Sequence, residues 1–182
     1  KEMKGPAIVL ATHTSNPDFI LSALSLYPVR PTYVVSEHFM RNRLIAPILK
    51  HMHVITKKMF TPDVSTVINI LRAKKENAVI VLFAEGRLSC CGRTLPFADG
   101  TVELIKKLGI DVYTWKAEGA YLTFPKWSVK GGDRIGKINA SVKRLLTAEE
   151  INGLSIDEIR SITEKAVYND DELSMAGIEY KC

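Results

Sequence analysis

Two short polar blocks, each directly after an apolar run, carry the side chains best suited to chemistry. The first places His13 five residues before Asp18, and the second is Glu85-Gly86-Arg87. An imidazole with a pKa of about 6.5 can remove a proton from an alcohol at neutral pH, and a carboxylate can orient it. A guanidinium suits bidentate phosphate contact, and glycine allows close backbone approach to a ligand. Together these groups suit acyl transfer to an alcohol that bears a phosphate.

Local sequence signals place both blocks at the carboxyl ends of strands. The apolar runs at 7–12 and 78–83 predict buried parallel strands. Asn16 and Pro17 then predict a helix start, so Asp18 falls in the first turn, where the helix dipole favours the ionised carboxylate. Because active sites of open α/β sheets lie at strand carboxyl ends, the two blocks are expected to share a crevice.

Alternating strand and helix patterns continue along the chain. Further strands are predicted at 32–36, 53–56 and 112–115. Helices are predicted at 16–27, 39–50, 61–75 and 98–108, and two capping boxes predict helices after 147 and after 155, ending at about 168. The stretch 128–138 predicts a hairpin. The pattern indicates one α/β domain over 1–182, with a mostly parallel central sheet flanked by helices, a core at about 5–140 and a C-terminal helical segment at about 147–170.

The bulk composition narrows the classes of partner. The net charge of +5 suits an anionic partner, whether a phosphate ligand, an acidic lipid surface or nucleic acid. Nucleic acid is the weakest of these, because aromatic residues are not interleaved with the basic ones. No apolar run approaches the ~20 residues needed to cross a bilayer. The chain begins without methionine and close to a strand, so we expect that an N-terminal segment, which could hold a membrane anchor, is missing.

The three cysteines, Cys90, Cys91 and Cys182, show neither a disulfide framework nor the spacing of a zinc site. We therefore expect no metal and favour a reducing, cytosolic compartment.

Each candidate residue also has a purely structural interpretation. Asp18 can serve as a helix-start residue, and Glu85 with Arg87 can form a surface ion pair on a tight turn. Lys57 follows a predicted strand end, where it adds positive charge either to the crevice or to a solvated surface. No nucleophile motif accompanies His13, and nothing activates Ser15 more than its neighbours. The remaining basic candidates are interpreted as structural, solvated or membrane-facing: His38, Arg41, Arg43, His51 and His53.

In this order and spacing the motifs resemble those of the glycerolipid acyltransferase family, which includes the 1-acylglycerol-3-phosphate acyltransferases. The family's N-H-x4-D motif is matched by T-H-T-S-N-P-D at 12–18. Its F-P-E-G motif is similar to F-A-E-G-R-L-S at 83–89, with Ala84 in the proline position. Its second motif resembles V-I-T-K at 54–57, with Lys57 replacing arginine, and its fourth matches 111–115 without the usual proline.

This resemblance implies a glycerol-3-phosphate acyltransferase-like fold and a mechanism for phospholipid synthesis. His13, held by Asp18, would remove the proton from a hydroxyl of a lysophospholipid such as 1-acylglycerol 3-phosphate. The oxygen would then attack the thioester of acyl-CoA or of an acyl-carrier protein, with no cofactor beyond this co-substrate. Lys57 and Arg87 would bind the acceptor phosphate.

In the same scheme Glu85 would position the glycerol, with Gly86 beside it. The resemblance also implies work on the cytoplasmic side of a membrane. Two alternatives stay open: a catalytically degenerate lipid- or phosphate-binding module, suggested by Lys57 and Ala84, and a thioester hydrolase in which His13 activates water.

Overall fold

The computed structural model describes residues 3–43, 46–58, 63–127 and 136–168. The strands in these residues are β1 (Ala7–Ala11), β2 (Thr32–Ser36), β3 (His53–Lys57), β4 (Val79–Phe83), β5 (Asp111–Glu118) and β6 (Asn139–Leu146). Within the described residues they form one six-stranded sheet in the order β3-β2-β4-β1-β5-β6. The pairs among β1 to β5 are parallel, and β6 is antiparallel to β5. The prediction of a single α/β domain with a mostly parallel sheet is confirmed.

Helices connect the strands and cover the sheet. The α-helices are α1 (Asp18–Leu26), α2 (Ala46–His51), α3 (Val64–Lys75), α4 (Thr101–Leu108), α5 (Ala120–Thr123), α6 (Ala148–Gly153) and α7 (Ile156–Val167). A 3-10 helix, Glu37–Arg41, follows β2. None of the helices in the described ranges is long and apolar enough to cross a membrane.

The burial of the central strand β1 shows that helices cover both faces of the sheet. All its residues are buried, as expected for a parallel strand between two helical layers. Ile8 and Leu10 belong to the core that includes residues of α3, α4 and α7. Ala7 and Val9 point the other way and belong to the core that includes Leu26 of α1. The site-bearing strand ends are therefore anchored in a rigid, apolar sheet.

The predicted helix over 39–50 is wrong. The chain instead forms the 3-10 helix and then α2, in which Pro47 occupies the first turn. Proline lacks an N–H, and in a helix interior its ring clashes with the carbonyl four residues earlier, so a continuous helix through Pro47 is disfavoured. In the first turn the missing donor costs nothing.

Other boundaries also differ from the prediction. β6 was not predicted as a strand, and β5 extends to Glu118 rather than ending at residue 115. α4 begins three residues later than expected because Gly100, with φ of +79°, ends the preceding loop in a left-handed conformation. Most of the predicted hairpin, 128–135, lies outside the described residues.

α3 begins at Val64, three residues after the predicted start at 61, and Asp63 caps it by accepting the backbone N–H of Thr66. Thr147 and Ser155 form the predicted capping boxes of α6 and α7.

Cys90 is an exposed free thiol, whereas Cys91 is buried and disulfide-bonded, so the expectation of reduced cysteines is wrong for Cys91.

Candidate active site

The register of two neighbouring strands brings the polar blocks together. Ala11, the last residue of β1, pairs with Phe83, the last residue of β4. His13 and Glu85 each come two residues after this pair, and Ser89 donates its backbone N–H to the His13 carbonyl at 2.8 Å. The two blocks thus lie side by side at the carboxyl edge of the sheet, where the strand ends leave room for a ligand.

The His13 imidazole is in direct contact with the Asp18 carboxylate. His13 Nδ1 lies 3.1 Å from Asp18 Oδ2, and the aspartate is fully buried while 19% of the histidine side chain is exposed. An ionised carboxylate only accepts hydrogen bonds, so Nδ1 carries the proton and Nε2 is the basic nitrogen. The imidazole also stacks on Phe83, with ring centroids 4.2 Å apart. The ring is oriented from two sides.

Asp18 is held by the loop that separates it from His13. Asp18 Oδ2 accepts the backbone N–H groups of Thr14 and Ser15, each at 2.8 Å, and Oδ1 accepts the Ser15 hydroxyl. These donors fix the position of the buried carboxylate. The helix starts one residue later than Asn16 and Pro17 predicted, so Asp18 is the first residue of α1.

The structural role of Ser15 was not predicted from the sequence. Its hydroxyl donates to Asp18, so it orients the carboxylate and is not placed as a nucleophile. The signal was present in the sequence, because a serine three residues before an acidic residue matches the capping-box spacing.

Glu85 lies beneath His13 and accepts hydrogen bonds from the chain itself. Its Oε1 accepts the His13 backbone N–H at 3.2 Å, and its Oε2 accepts the Leu95 backbone N–H at 3.0 Å. The residue is only 4% exposed. These contacts show a carboxyl group that joins two loops. Its predicted part in positioning the glycerol stays a prediction.

Burial raises the pKa of the Glu85 carboxyl to about 7. The hydrogen bonds from Leu95 and His13 and the charge of Arg87 act in the opposite direction, whereas the charge of Asp18 adds to the rise. The Arg87 guanidinium is therefore close enough to Glu85 to influence its ionisation.

The turn that carries Arg87 is built on Gly86. Gly86 has φ of +66° and donates its N–H to the Phe83 carbonyl at 2.9 Å. A Cβ at this position would also lie 3.1 Å from the Ala98 side chain. The tight turn leaves Arg87 exposed beside the His13 loop, where the guanidinium can meet an anionic ligand.

Lys57 lies farther from the His13–Asp18 pair. It ends β3, which is separated from β4 by β2. With about 4.8 Å between neighbouring strands, the Lys57 backbone lies roughly 10 Å from β4. Moreover, the described pairing of β2 with β4 ends at Tyr33 and Val81, below the last residues of both strands. Lys57 thus shares the carboxyl edge without joining the His13 cluster, and only a long lysine side chain and an extended ligand could connect the two.

The other candidates are dispersed. His53 is at the start of β3, at the opposite edge of the sheet from His13, and His51 ends α2 with Nδ1 2.9 Å from the Pro47 carbonyl. His38, Arg41 and Arg43 lie in or just after the 3-10 helix that follows β2. The structure therefore gathers His13, Asp18, Glu85 and Arg87, and leaves the other predicted basic candidates outside this cluster.

Comparisons with known proteins identify the fold and the family of the chain. The structure is similar to the crystal structure of the 1-acyl-sn-glycerophosphate (LPA) acyltransferase, PlsC, from Thermotoga maritima, with a TM-score of 0.73 and 18% sequence identity. The match covers 96% of this chain and 68% of the Thermotoga chain, and shows a common fold. A search of curated protein sequences found no match. A family profile described as Acyltransferase matches residues 1–116, which include every residue of the His13 cluster. The chain belongs to this acyltransferase family of enzymes.

Proposed function

We propose that the chain transfers a fatty acyl group from acyl-CoA or an acyl-carrier protein to a hydroxyl of a lysophospholipid such as 1-acylglycerol 3-phosphate. The observation that carries the proposal is the His13–Asp18 pair at the end of β1, with Arg87 on the adjoining turn. The name of the Thermotoga protein, whose fold is the same, is consistent with this acceptor. The setting would be phospholipid synthesis at the cytoplasmic face of a membrane.

The chemistry follows from the tautomer of His13. Asp18 holds Nδ1–H, so Nε2 removes the proton from the acceptor hydroxyl as its oxygen attacks the thioester carbonyl. The new C–O ester bond forms, the C–S bond breaks, and the sulfur leaves as a thiolate that can take up the proton from the imidazolium. The proposal includes no covalent acyl-enzyme.

Arg87 supplies the positive charge for the acceptor phosphate. Its exposure leaves the guanidinium accessible, and the neighbouring glycine turn lets the ligand come close to the backbone. Lys57 would bind the same phosphate from the β3 side of the carboxyl edge, or a more distant part of an extended acceptor.

The test compares the wild-type chain with His13→Ala in an assay that records both the acyl ester and the free thiol. The expected loss of transfer is about 10²–10⁴-fold, the usual contribution of a general base. The matched control is His53→Ala, which removes an exposed histidine at the other edge of the sheet and should retain activity.

The same assay separates the alternatives. Thiol release that requires an acceptor supports acyl transfer. Equal thiol release without any acceptor would show a thioester hydrolase, and acceptor binding without thiol release from any donor would show a binding module. Unchanged turnover in His13→Ala would refute the proposed mechanism.

A further inference from the structure

A cavity of about 430 Å³ lies between the 3-10 helix Glu37–Arg41 and α2. Four basic residues contribute to its lining: Arg41, Arg43, Lys50 and His51. Its lining includes apolar Met40 and Pro47, and none of the described residues that line it is Asp or Glu. We call this cavity the basic pocket. Its charge is uniformly positive, so the ligand it fits is an anion.

Among the described residues, no acidic side chain forms an ion pair with the Arg and Lys side chains of the basic pocket. Within the described part of the chain, Arg41, Arg43 and Lys50 form no ion pair, whereas Arg144 and Arg160 do. Bringing like charges together without a partner is unfavourable, and a bound anion relieves that repulsion. The Nδ1–H of His51 donates to the Pro47 carbonyl, so Nε2 can donate to an anion only in the imidazolium form, and the permanent cations of the pocket are Arg41, Arg43 and Lys50.

Exposed apolar side chains accompany these cations. Phe39, in the same 3-10 helix as Arg41, is 43% exposed, and Ile48, in the same helix as Lys50, is 48% exposed. Basic residues next to exposed apolar residues are the pattern of a surface that rests on a membrane, with cations at the phosphates and apolar groups in the acyl boundary. An acidic soluble protein as the binding partner would explain the positive charges of the pocket but would not explain why Phe39 and Ile48 are exposed.

One wall of the basic pocket, the 3-10 helix, starts at the edge of the sheet that carries His13, whereas Lys50 and His51 lie at the end of α2, just before β3 begins at the other edge. The 3-10 helix begins directly after β2, and β4 alone separates β2 from β1 in the sheet. In a parallel sheet the carboxyl ends of these strands lie at one edge. A membrane that contacts the 3-10 helix wall of the basic pocket would therefore also face the opening beside His13.

We propose that the basic pocket binds the phosphate group of an anionic lipid and holds the carboxyl edge of the sheet against the bilayer. This inference rests on the proposed function because it assumes that the substrates come from a membrane. It goes further because it proposes that residues outside the His13 cluster bind the headgroup of a lipid that is not the acceptor.

The experiment measures partitioning of the protein onto vesicles, without turnover. The pocket variant is Arg41→Gln/Arg43→Gln/Lys50→Gln. The control variant, Arg72→Gln/Lys75→Gln/Lys107→Gln, changes exposed residues near the ends of α3 and α4, at the opposite edge of the sheet. Each variant lowers the net charge from +5 to +2. Vesicles are phosphatidylcholine alone or phosphatidylcholine with phosphatidylglycerol, and circular dichroism confirms that both variants fold.

We expect the wild-type chain to bind only the phosphatidylglycerol vesicles. The pocket variant should bind them about 100-fold more weakly, and the control variant only about 3-fold, because its charges are far from the surface. Soluble glycerol 3-phosphate should displace the protein more effectively than sodium chloride at the same ionic strength. Equal losses in both variants, equal binding to neutral vesicles, or equal displacement by the two salts would each overturn the inference. So would binding to an acidic carrier protein in place of vesicles.

Failure here is distinguishable from failure of the proposed function. Acyl transfer by the wild-type chain from a short-chain acyl-CoA to a short-chain 1-acylglycerol 3-phosphate that stays dissolved involves no membrane. If that transfer occurs while vesicle binding does not, the proposed function stands and the lipid pocket is wrong.

Discussion

The backbone N–H of His13 donates to the side chain of Glu85 across a separation of 72 residues, at 3.2 Å. This bond joins the two polar blocks that the sequence places far apart. It also means that Glu85 acts on His13 through the backbone, whereas Asp18 acts on the imidazole itself. The histidine is thus held at two points, at its backbone by Glu85 and at its ring by Asp18, and variants of Asp18, Glu85 and Arg87 separate these contributions.

Asp18→Asn should lower both activity and stability. The amide keeps one accepting oxygen but turns an NH₂ group towards donors from Thr14, Ser15 and His13. We expect the free energy of unfolding to fall by about 2–4 kcal/mol, since buried donors lose their acceptor. Acyl transfer should fall at least about 100-fold, because the imidazole loses its orienting carboxylate. Urea denaturation and initial rates measure the two effects. Unchanged stability would mean that Asp18 does not hold the loop.

Arg87→Gln should affect acceptor binding more than chemistry. Loss of a charge-assisted contact to phosphate is worth about 1.5–3 kcal/mol, which corresponds to a 10- to 150-fold rise in the acceptor KM. The value of kcat should change little, because the proposed mechanism places the guanidinium at the phosphate and His13 at the reacting hydroxyl. A monoacylglycerol, which has no phosphate, is the matched acceptor. An equal loss with that acceptor would contradict phosphate binding by Arg87.

Glu85→Gln should change how stability depends on pH. The folded chain raises the pKa of Glu85 from 4.5 to about 7, so it holds this proton more tightly than the unfolded chain does. The resulting stabilisation is complete below pH 4.5 and is lost as the pH rises to 7. Its size is roughly 3 kcal/mol.

Glutamine cannot ionise, so the variant should lack this decline. The free energy of unfolding of both proteins, measured by denaturant titration from pH 4 to 8, provides the comparison. Parallel pH profiles would show that the Glu85 pKa is not raised.

Gly92→Ala should destabilise the loop beside the site. Gly92 has φ of +76°, and a Cβ would lie 2.5 Å from the Tyr121 ring. Strain and overpacking together should lower the free energy of unfolding by about 2–4 kcal/mol. Gly153→Ala is the control, because no atom lies within 4 Å of its added Cβ and its φ is ordinary. That variant should stay within about 0.5 kcal/mol of wild type. Similar losses in both would contradict the contact with Tyr121.

Much of the fold follows from short-range signals. The apolar runs predicted β1 and β4 to within about one residue, and Thr147 and Ser155 marked helix starts through contacts three residues away. β6 was not predicted because its residues are mostly exposed. Its sequence therefore has no apolar pattern that indicates a strand, and the strand depends on pairing with β5. The break before Pro47 was readable in principle, since a proline there excludes a helix interior.

For the site, the sequence alone determined the residue types, the spacing from His13 to Asp18, and the position of each block after a strand. These are local properties of the chain, and they were sufficient to predict a base, its carboxylate and a cation at one edge of a sheet. The tertiary structure alone decided the rest. The pairing of Ala11 with Phe83 brings the blocks side by side, burial turns Glu85 towards backbone donors, and the strand order leaves Lys57 two strands from β4. Register, burial and strand order depend on contacts between residues far apart in sequence, and no local pattern specifies them.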